Sequence, residues 1–147
     1  MEREDWMRLA LALAREAGEA GEVPVGCVIV KDGAVVGRGR NRREGERTAL
    51  GHAEIEAIAD ACRTLGGWRL RDCTLYVTLE PCPMCAGAIV NARIPVVCYG
   101  ARDDKAGCCG SVLNLFEERF NHKPRVYGGV LEEACGKILQ IFFENLR

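Results

Sequence analysis

Apolar residues recur along the chain in two rhythms, one helical and one extended. Trp6, Leu9, Ala10, Leu13, Ala14 and Ala17 return at steps of three and four, which predicts a helix over 2–19. Its first turn is rich in acid, as the helix dipole favours, and Gly18 and Gly21 end it. Over 23–31 the rhythm changes. Val25, Cys27, Val28, Ile29 and Val30 form a nearly continuous apolar run, as in a strand covered on both faces. Asp32-Gly33 reads as a tight turn, and the chain returns through 34–39, so the first two strands are expected as an antiparallel hairpin. After a polar stretch over 41–51, Ile55, Ile58, Ala59 and Cys62 supply the apolar face of a helix over 52–65, with Ala61 at its edge and Gly66-Gly67 as its stop. Leu75, Val77 and Leu79 alternate with Thr74, Tyr76 and Thr78 in a strand over 73–79. Pro83 suits a first helical turn, so a helix is expected from just beyond Cys82 to about Ala92. A fourth, central strand spans 95–99. Leu113, Leu115, Phe116 and Phe120 predict a short helix or turn that packs down, 125–127 a short fifth strand, and 130–145 a final helix.

The opening hairpin argues against a dinucleotide-binding βαβ start, and no GxGxxG or Walker pattern occurs. No repeat or low-complexity linker divides the chain, and 147 residues are expected to form one domain, 1–147. The mixture, 48% apolar and 28% charged, is that of an ordinary globular protein. A formal net charge of −1 gives no global attraction to nucleic acid, though a local basic rim is compatible with it. Nine cysteines, an odd number, without a secretory leader, point to a cytoplasmic chain whose thiols serve as metal ligands or small core residues. No stretch approaches a membrane span.

Two short pieces carry the chemistry: His52-Ala53-Glu54 and Pro81-Cys82-Pro83-Met84-Cys85. One imidazole and two thiolates can fill three positions of a tetrahedral Zn²⁺ and leave the fourth for water, which then needs a base beside it. His52, Cys82 and Cys85 are the expected ligands, Glu54 the expected proton shuttle, and the Ala53 N–H an anchor for the base or the developing oxygen. Cys82 and Cys85 lie one helical turn apart at a helix start, which also lowers thiol pKa. Gly26 marks either close backbone approach to a ligand or a bulge. Five Arg and two Glu lie in 38–47, either a solvated face or a pocket rim. The glycine-rich, charged stretch over 100–110 reads equally as a surface turn or a rim, and its Cys108-Cys109 as two free thiols.

The order H-x-E…P-C-x-x-C is the signature of zinc nucleobase deaminases. Beyond it the chain resembles the bacterial tRNA-specific adenosine deaminases of the cytidine deaminase-like superfamily. The likeness rests on Glu22-Val23-Pro24-Val25-Gly26, Asn41, His52-Ala53-Glu54-Ile55, the run from Leu75 to Ile89, Gly100-Ala101-Arg102-Asp103, Lys105-Ala106-Gly107, Gly110-Ser111 and Asn121-His122. It implies a three-layer α/β/α sandwich around a mixed five-stranded sheet, a homodimer, and one zinc per subunit. The implied reaction is hydrolysis of adenosine to inosine at the wobble position of tRNA, mainly an arginine tRNA. Asn41 would hydrogen-bond the flipped nucleoside, Pro24, Val25 and Gly26 would wall the base pocket, and Asp103 would sit by the sugar-phosphate. Arg42, Arg43, Lys105 and Lys123 are then expected phosphate contacts to the anticodon stem-loop. The sequence departs from the family at Cys108-Cys109, where small or aromatic residues are usual, and at Cys27, where Ala is common. Its end at Arg147, without the basic tail of some members, implies a weaker grip on the tRNA body. Two other readings share these residues: a small-molecule deaminase of guanine, cytosine or a nucleoside, and a non-catalytic RNA-binding or assembly subunit.

Overall fold

The computed structural model describes residues 1–146. Its middle layer is a sheet of β1 (Gly26–Lys31), β2 (Ala34–Arg40), β3 (Cys73–Leu79), β4 (Val96–Ala101) and β5 (Arg125–Tyr127), in the order β2-β1-β3-β4-β5. β1 pairs antiparallel with both β2 and β3, whereas β3, β4 and β5 run parallel. The opening hairpin turns through Asp32 at φ 51° and Gly33 at φ 73°. Two successive positive φ values are what a two-residue turn between twisted strands requires.

Helices cover both faces. Cys27, Ile29, Leu75, Val77, Val97 and Tyr99 pack in one core with α2 (Ala53–Leu65) and α3 (Pro83–Ala92). Val28, Val30, Tyr76 and Cys98 pack in the other with α1 (Arg3–Glu19) and α4 (Glu132–Asn145). The fold is therefore a three-layer α/β/α sandwich. Because α1 covers the second face of β3, Tyr76 and Thr78 are buried along with Leu75 and Val77. The alternation expected for a half-exposed strand does not describe β3.

Two further expectations change. The buried face of α2 is Ala53, Glu54, Ala57 and Ala61; Ile55, Ile58 and Cys62 are only half-buried, and Ala59 is exposed. The cause lies in β2. A Cβ on Gly39 would stand 2.2 Å from the Ala53 carbonyl oxygen, and one on Gly37 would stand 2.4 Å from that of Ala57. Two glycines one pleat apart let helix and strand backbones touch, and only alanines fit between them. Residues 113–120 form a single 3-10 turn, Leu115–Glu117, with Phe116 buried while Leu113 and Phe120 stay exposed. A turn of three residues has one inward position, so it cannot bury the whole apolar set.

Both helices that carry the chemistry-bearing motifs start at one end of the sheet. α3 follows the carboxyl end of β3 through Glu80-Pro81-Cys82, and α2 starts beside the end of β2. This end collects the site.

Candidate metal centre and active site

His52 and Cys82 each occupy the extended residue just before a helix, at φ −91°, ψ 148° and φ −78°, ψ 176°. Such a residue aims its side chain across the helix start, and here the two starts face one another. Pro83 opens α3 where its missing N–H costs nothing, and Cys85 follows one turn on. The Nδ1 of His52 lies 3.5 Å from the Sγ of Cys82 and 3.5 Å from that of Cys85. All three donor atoms lie within 4.8 Å of one another. Tetrahedral zinc with ordinary Zn–S and Zn–N bonds sets N and S about 3.6 Å apart. Two thiols and one imidazole nitrogen at this spacing fit a zinc ion.

The proton distribution agrees. Cys82 is held down at about 4, first by the S–H of Cys85 beside it and then, against burial, by His52. Cys85 is pushed the other way, by Cys82 and by burial. His52 is raised, chiefly by its hydrogen bond with Cys82. A cation that takes both sulfurs as thiolates displaces the proton that Cys85 holds. Glu54, two residues into α2, is almost wholly buried, and burial raises it to about 7, with the Cys82 charge adding to the effect. A carboxyl group near neutrality can both take and give a proton.

The centre opens into a cavity of about 530 Å³. Of the expected site residues, Val25, Asn41, Arg43, His52, Glu54, Cys82, Asp103 and Lys105 line it. Pro24 and Gly26 do not. Pro24 is fully buried, and a Cβ on Gly26 would meet the Ala10 carbonyl oxygen at 2.0 Å. The close approach at Gly26 is thus to helix α1, not to a ligand. The Ala53 N–H is also engaged, since it donates to Asn41 Oδ1 at 3.0 Å. Asn41 Nδ2 donates in turn to the Val23 carbonyl at 3.1 Å. Asn41 therefore braces the start of α2 against the entry to β1, and keeps one lone pair and one N–H for anything in the cavity. Arg42 turns away and pairs its Nε with Glu56 at 2.6 Å. Lys123 precedes β5, and the neighbouring Arg125 N–H donates to the Pro95 carbonyl ahead of β4. That places Lys123 at the opposite end of the sheet, because β4 reaches the site only at its far end.

Val23, Leu79 and Arg102, which lie in the quoted segments without an assigned role, also line the cavity, as do Leu139 and Phe143, which lie outside every motif. Phe143 lies off the apolar stripe of α4 and is half-exposed; an exposed aromatic beside such a stripe is the one sequence sign it offers. Two buried carboxylates hold the rim from behind. Glu22 accepts the N–H groups of Glu44 and Gly45, at 3.0 and 2.7 Å, and so fixes the arginine-rich loop. Glu80 accepts from the N–H groups of Asp103 (3.0 Å), Cys109 (2.8 Å) and Ser111 (3.1 Å) and from the Ser111 hydroxyl. Burial pushes Glu80 up, but these donors outweigh it and hold the carboxyl below the ordinary range. The stretch over 100–110 is thereby a braced rim, not a free surface turn.

The chain matches the model of the MafB19-like deaminase family over residues 1–147. It is 52% identical over 143 residues to the tRNA-specific adenosine deaminase of Bacillus subtilis, covering 97% of this chain and 89% of that one. The chain belongs to the tRNA-specific adenosine deaminase family. Among solved structures, a tRNA:A34 deaminase of A-to-I editing at the wobble position superposes with a TM-score of 0.89 at 47% identity, over 92% of this chain and 99% of that one. The guanine deaminase of Bacillus subtilis superposes with a TM-score of 0.67 at 45% identity, over 69% of this chain and 66% of that one. The deaminase fold and the His-Cys-Cys set of the family are thus both in place here. Among the described residues no helix is long and apolar enough to cross a membrane.

Proposed function

We propose that the protein hydrolyses adenosine to inosine at the wobble position of tRNA, with zinc held by His52, Cys82 and Cys85 and with Glu54 moving the protons. The observation that carries the reading is the convergence of Nδ1 and two Sγ atoms within 4.8 Å, beside a buried carboxyl, in a cavity large enough for a nucleoside. The tRNA assignment is supported by the 52% identity to a tRNA-specific adenosine deaminase. Zinc in this seat supplies Lewis acidity and an activated water at neutral pH. Glu54 takes a proton from the attacking water as its oxygen bonds to C6, and delivers that proton to ring N1. It then takes the remaining proton of the added hydroxyl and passes it to the amine as the C–N bond breaks, so adenosine and water are converted to inosine and ammonia.

The chain's other residues position the substrate. Val25 walls the base, Asn41 offers its spare N–H and lone pair to the nucleoside, and Asp103 faces the sugar-phosphate. Arg43 and Lys105 take phosphates at the rim. An anticodon loop presents bases already unstacked, so extrusion costs little. The working unit is a single domain over 1–147, a cytoplasmic homodimer with one zinc per subunit.

A second reading, deamination of a free base, is favoured by the likeness to the guanine deaminase of Bacillus subtilis. A non-catalytic binding role has no use for Glu54, which is buried beside the donor set. Zinc-loaded protein should be incubated with an arginine tRNA anticodon stem-loop bearing wobble adenosine, and separately with adenosine, guanine and cytosine. Inosine in the RNA with no free-base turnover is expected. Rapid turnover of a free base with untouched RNA would transfer the activity to the second reading.

A further inference from the structure

The cavity rim has no cationic surplus. Arg43, Arg102 and Lys105 face Glu54, Glu80, Asp103 and Asp104 there. Yet an RNA ligand is gripped mainly through its phosphates. The cations lie elsewhere. At the opposite end of the sheet, segments 68–72, 93–95 and 121–125 hold Arg69, Arg71, Arg93, Lys123 and Arg125 against one acid, Asp72. That is a net +4 in a chain of net −1, so everything else carries −5.

These segments are neighbours in space. The Leu70 N–H donates to the Ala92 carbonyl at 2.7 Å, and the Arg125 N–H to that of Pro95 at 2.9 Å. His122 Nε2 lies 2.6 Å from the Ile94 carbonyl oxygen. Arg71, Arg93, Asn121 and His122 line a shared hollow of about 370 Å³. Trp68 stands at its border, 50% exposed. The Arg69 guanidinium lies 4.1 Å from the centre of the indole and that of Arg93 5.7 Å from it. Arg93 is fixed further by donating to the Val90 and Asn91 carbonyls. An indole that holds two guanidiniums restricts them before any ligand arrives, which lowers the entropy cost of binding. None of the five cations forms a salt bridge among the described residues.

We propose that this edge, built on Trp68, Arg69, Arg71, Arg93 and Lys123, is a second RNA-binding surface that grips phosphates of the substrate RNA outside the edited loop. The inference rests on the reading of the substrate as tRNA. β4 alone separates the two ends of the sheet by about 17 Å, at ~3.3 Å per residue. A loop strand of three nucleotides centred in the cavity therefore does not reach the patch, while a structured RNA body does. Lys123, expected as a phosphate contact to the anticodon stem-loop, thus has its phosphate partner in the body of the RNA.

The test uses full-length zinc-loaded protein and the variant Arg69→Gln/Arg71→Gln/Lys123→Gln, all three positions being exposed. Binding of a complete arginine tRNA and of a three-nucleotide loop strand carrying its anticodon is measured across a salt series. For the variant, tRNA affinity falls at least tenfold and the slope of log K against log salt shrinks by about two to three. The loop strand binds, and turns over when saturating, as with the parent. An equal loss of charge at Arg8→Gln/Arg15→Gln/Lys137→Gln changes tRNA affinity less than twofold. Unchanged tRNA affinity and slope in the patch variant, or an equal loss with the loop strand, overturns the proposal. A parent that binds tRNA through the patch but makes no inosine overturns the substrate reading alone. A parent that binds no tRNA overturns both.

Discussion

Two carboxylates at the same end of the sheet, Glu54 and Glu80, are buried almost equally, with 4% and 2% exposure. Their proton affinities diverge. Glu54 sits among thiols and an imidazole, and burial raises it to about 7. Glu80 meets three backbone N–H groups and a hydroxyl, which hold it below its ordinary value in spite of burial. Loss of solvent contact alone therefore does not set the proton affinity: Glu54 lies deeper in the protein, and Glu80 has more donors aimed at it. One carboxyl group is left free to exchange protons, while the other is a fixed anion around which a loop is wound. Catalysis needs the first, and the shape of the pocket needs the second.

Substitution to Gln should separate them. Glu54→Gln removes the proton carrier, and deamination should fall by at least about 10³-fold. Metal content should stay at the parent's level, and at pH 8 the melting temperature should be no lower, because burying Glu54 ionised is unfavourable. A fall in bound zinc would make Glu54 a ligand and undo the assignment. Glu80→Gln should do the reverse. Its amide N–H₂ would face donors, so stability should drop by about 3 kcal/mol in denaturant titration, with zinc retained. The KM for RNA should rise as Asp103 and Lys105 lose their backing. A variant with parental stability and KM would show that the loop holds itself.

A pH series extends the contrast. Since the folded Glu80 lies below its ordinary 4.5, its stabilising contribution is complete above that value and is lost as pH falls through the lower folded one. The protection factors of the Asp103, Cys109 and Ser111 amides should thus stay high at pH 5 and fall only in stronger acid. In Glu80→Gln they should be low throughout. A smaller effect is expected at the brace shared with α2. Asn41→Ala leaves the Ala53 N–H and Val23 carbonyl unpaired and should cost about 2 kcal/mol by thermal unfolding. Parental stability there would mean that water replaces the amide.

Local chemistry made some of this legible. The spacing of Cys82 and Cys85, the His52-x-Glu54 pair and Pro83 are short-range signals, and the helix starts they imply are the ones observed. Strand order began with a two-residue turn, which has one simple solution. What was illegible depends on residues distant in sequence. The alanine face of α2 follows from glycines on β2, about a dozen positions or more away. Glu80 looked like the end of a strand, and its four donors come from a loop more than twenty residues on. Gly26 reads as approach to a ligand or as a bulge, and is neither: its close neighbour is the backbone of α1. Arg42 and Lys123 sat in cationic stretches, but facing is a tertiary property. Arg42 turns to Glu56, and Lys123 lies at the other end of the sheet.

The most direct test is a zinc titration of chelator-stripped protein, with inosine formation in a wobble-adenosine stem-loop as the readout. Activity should rise in proportion to added zinc and break at one ion per chain. Cys85→Ala should neither hold zinc nor form inosine, and Glu54→Gln should hold one ion and remain inactive. Full activity without zinc, or inosine formation by zinc-loaded Glu54→Gln at the parental rate, would contradict the account.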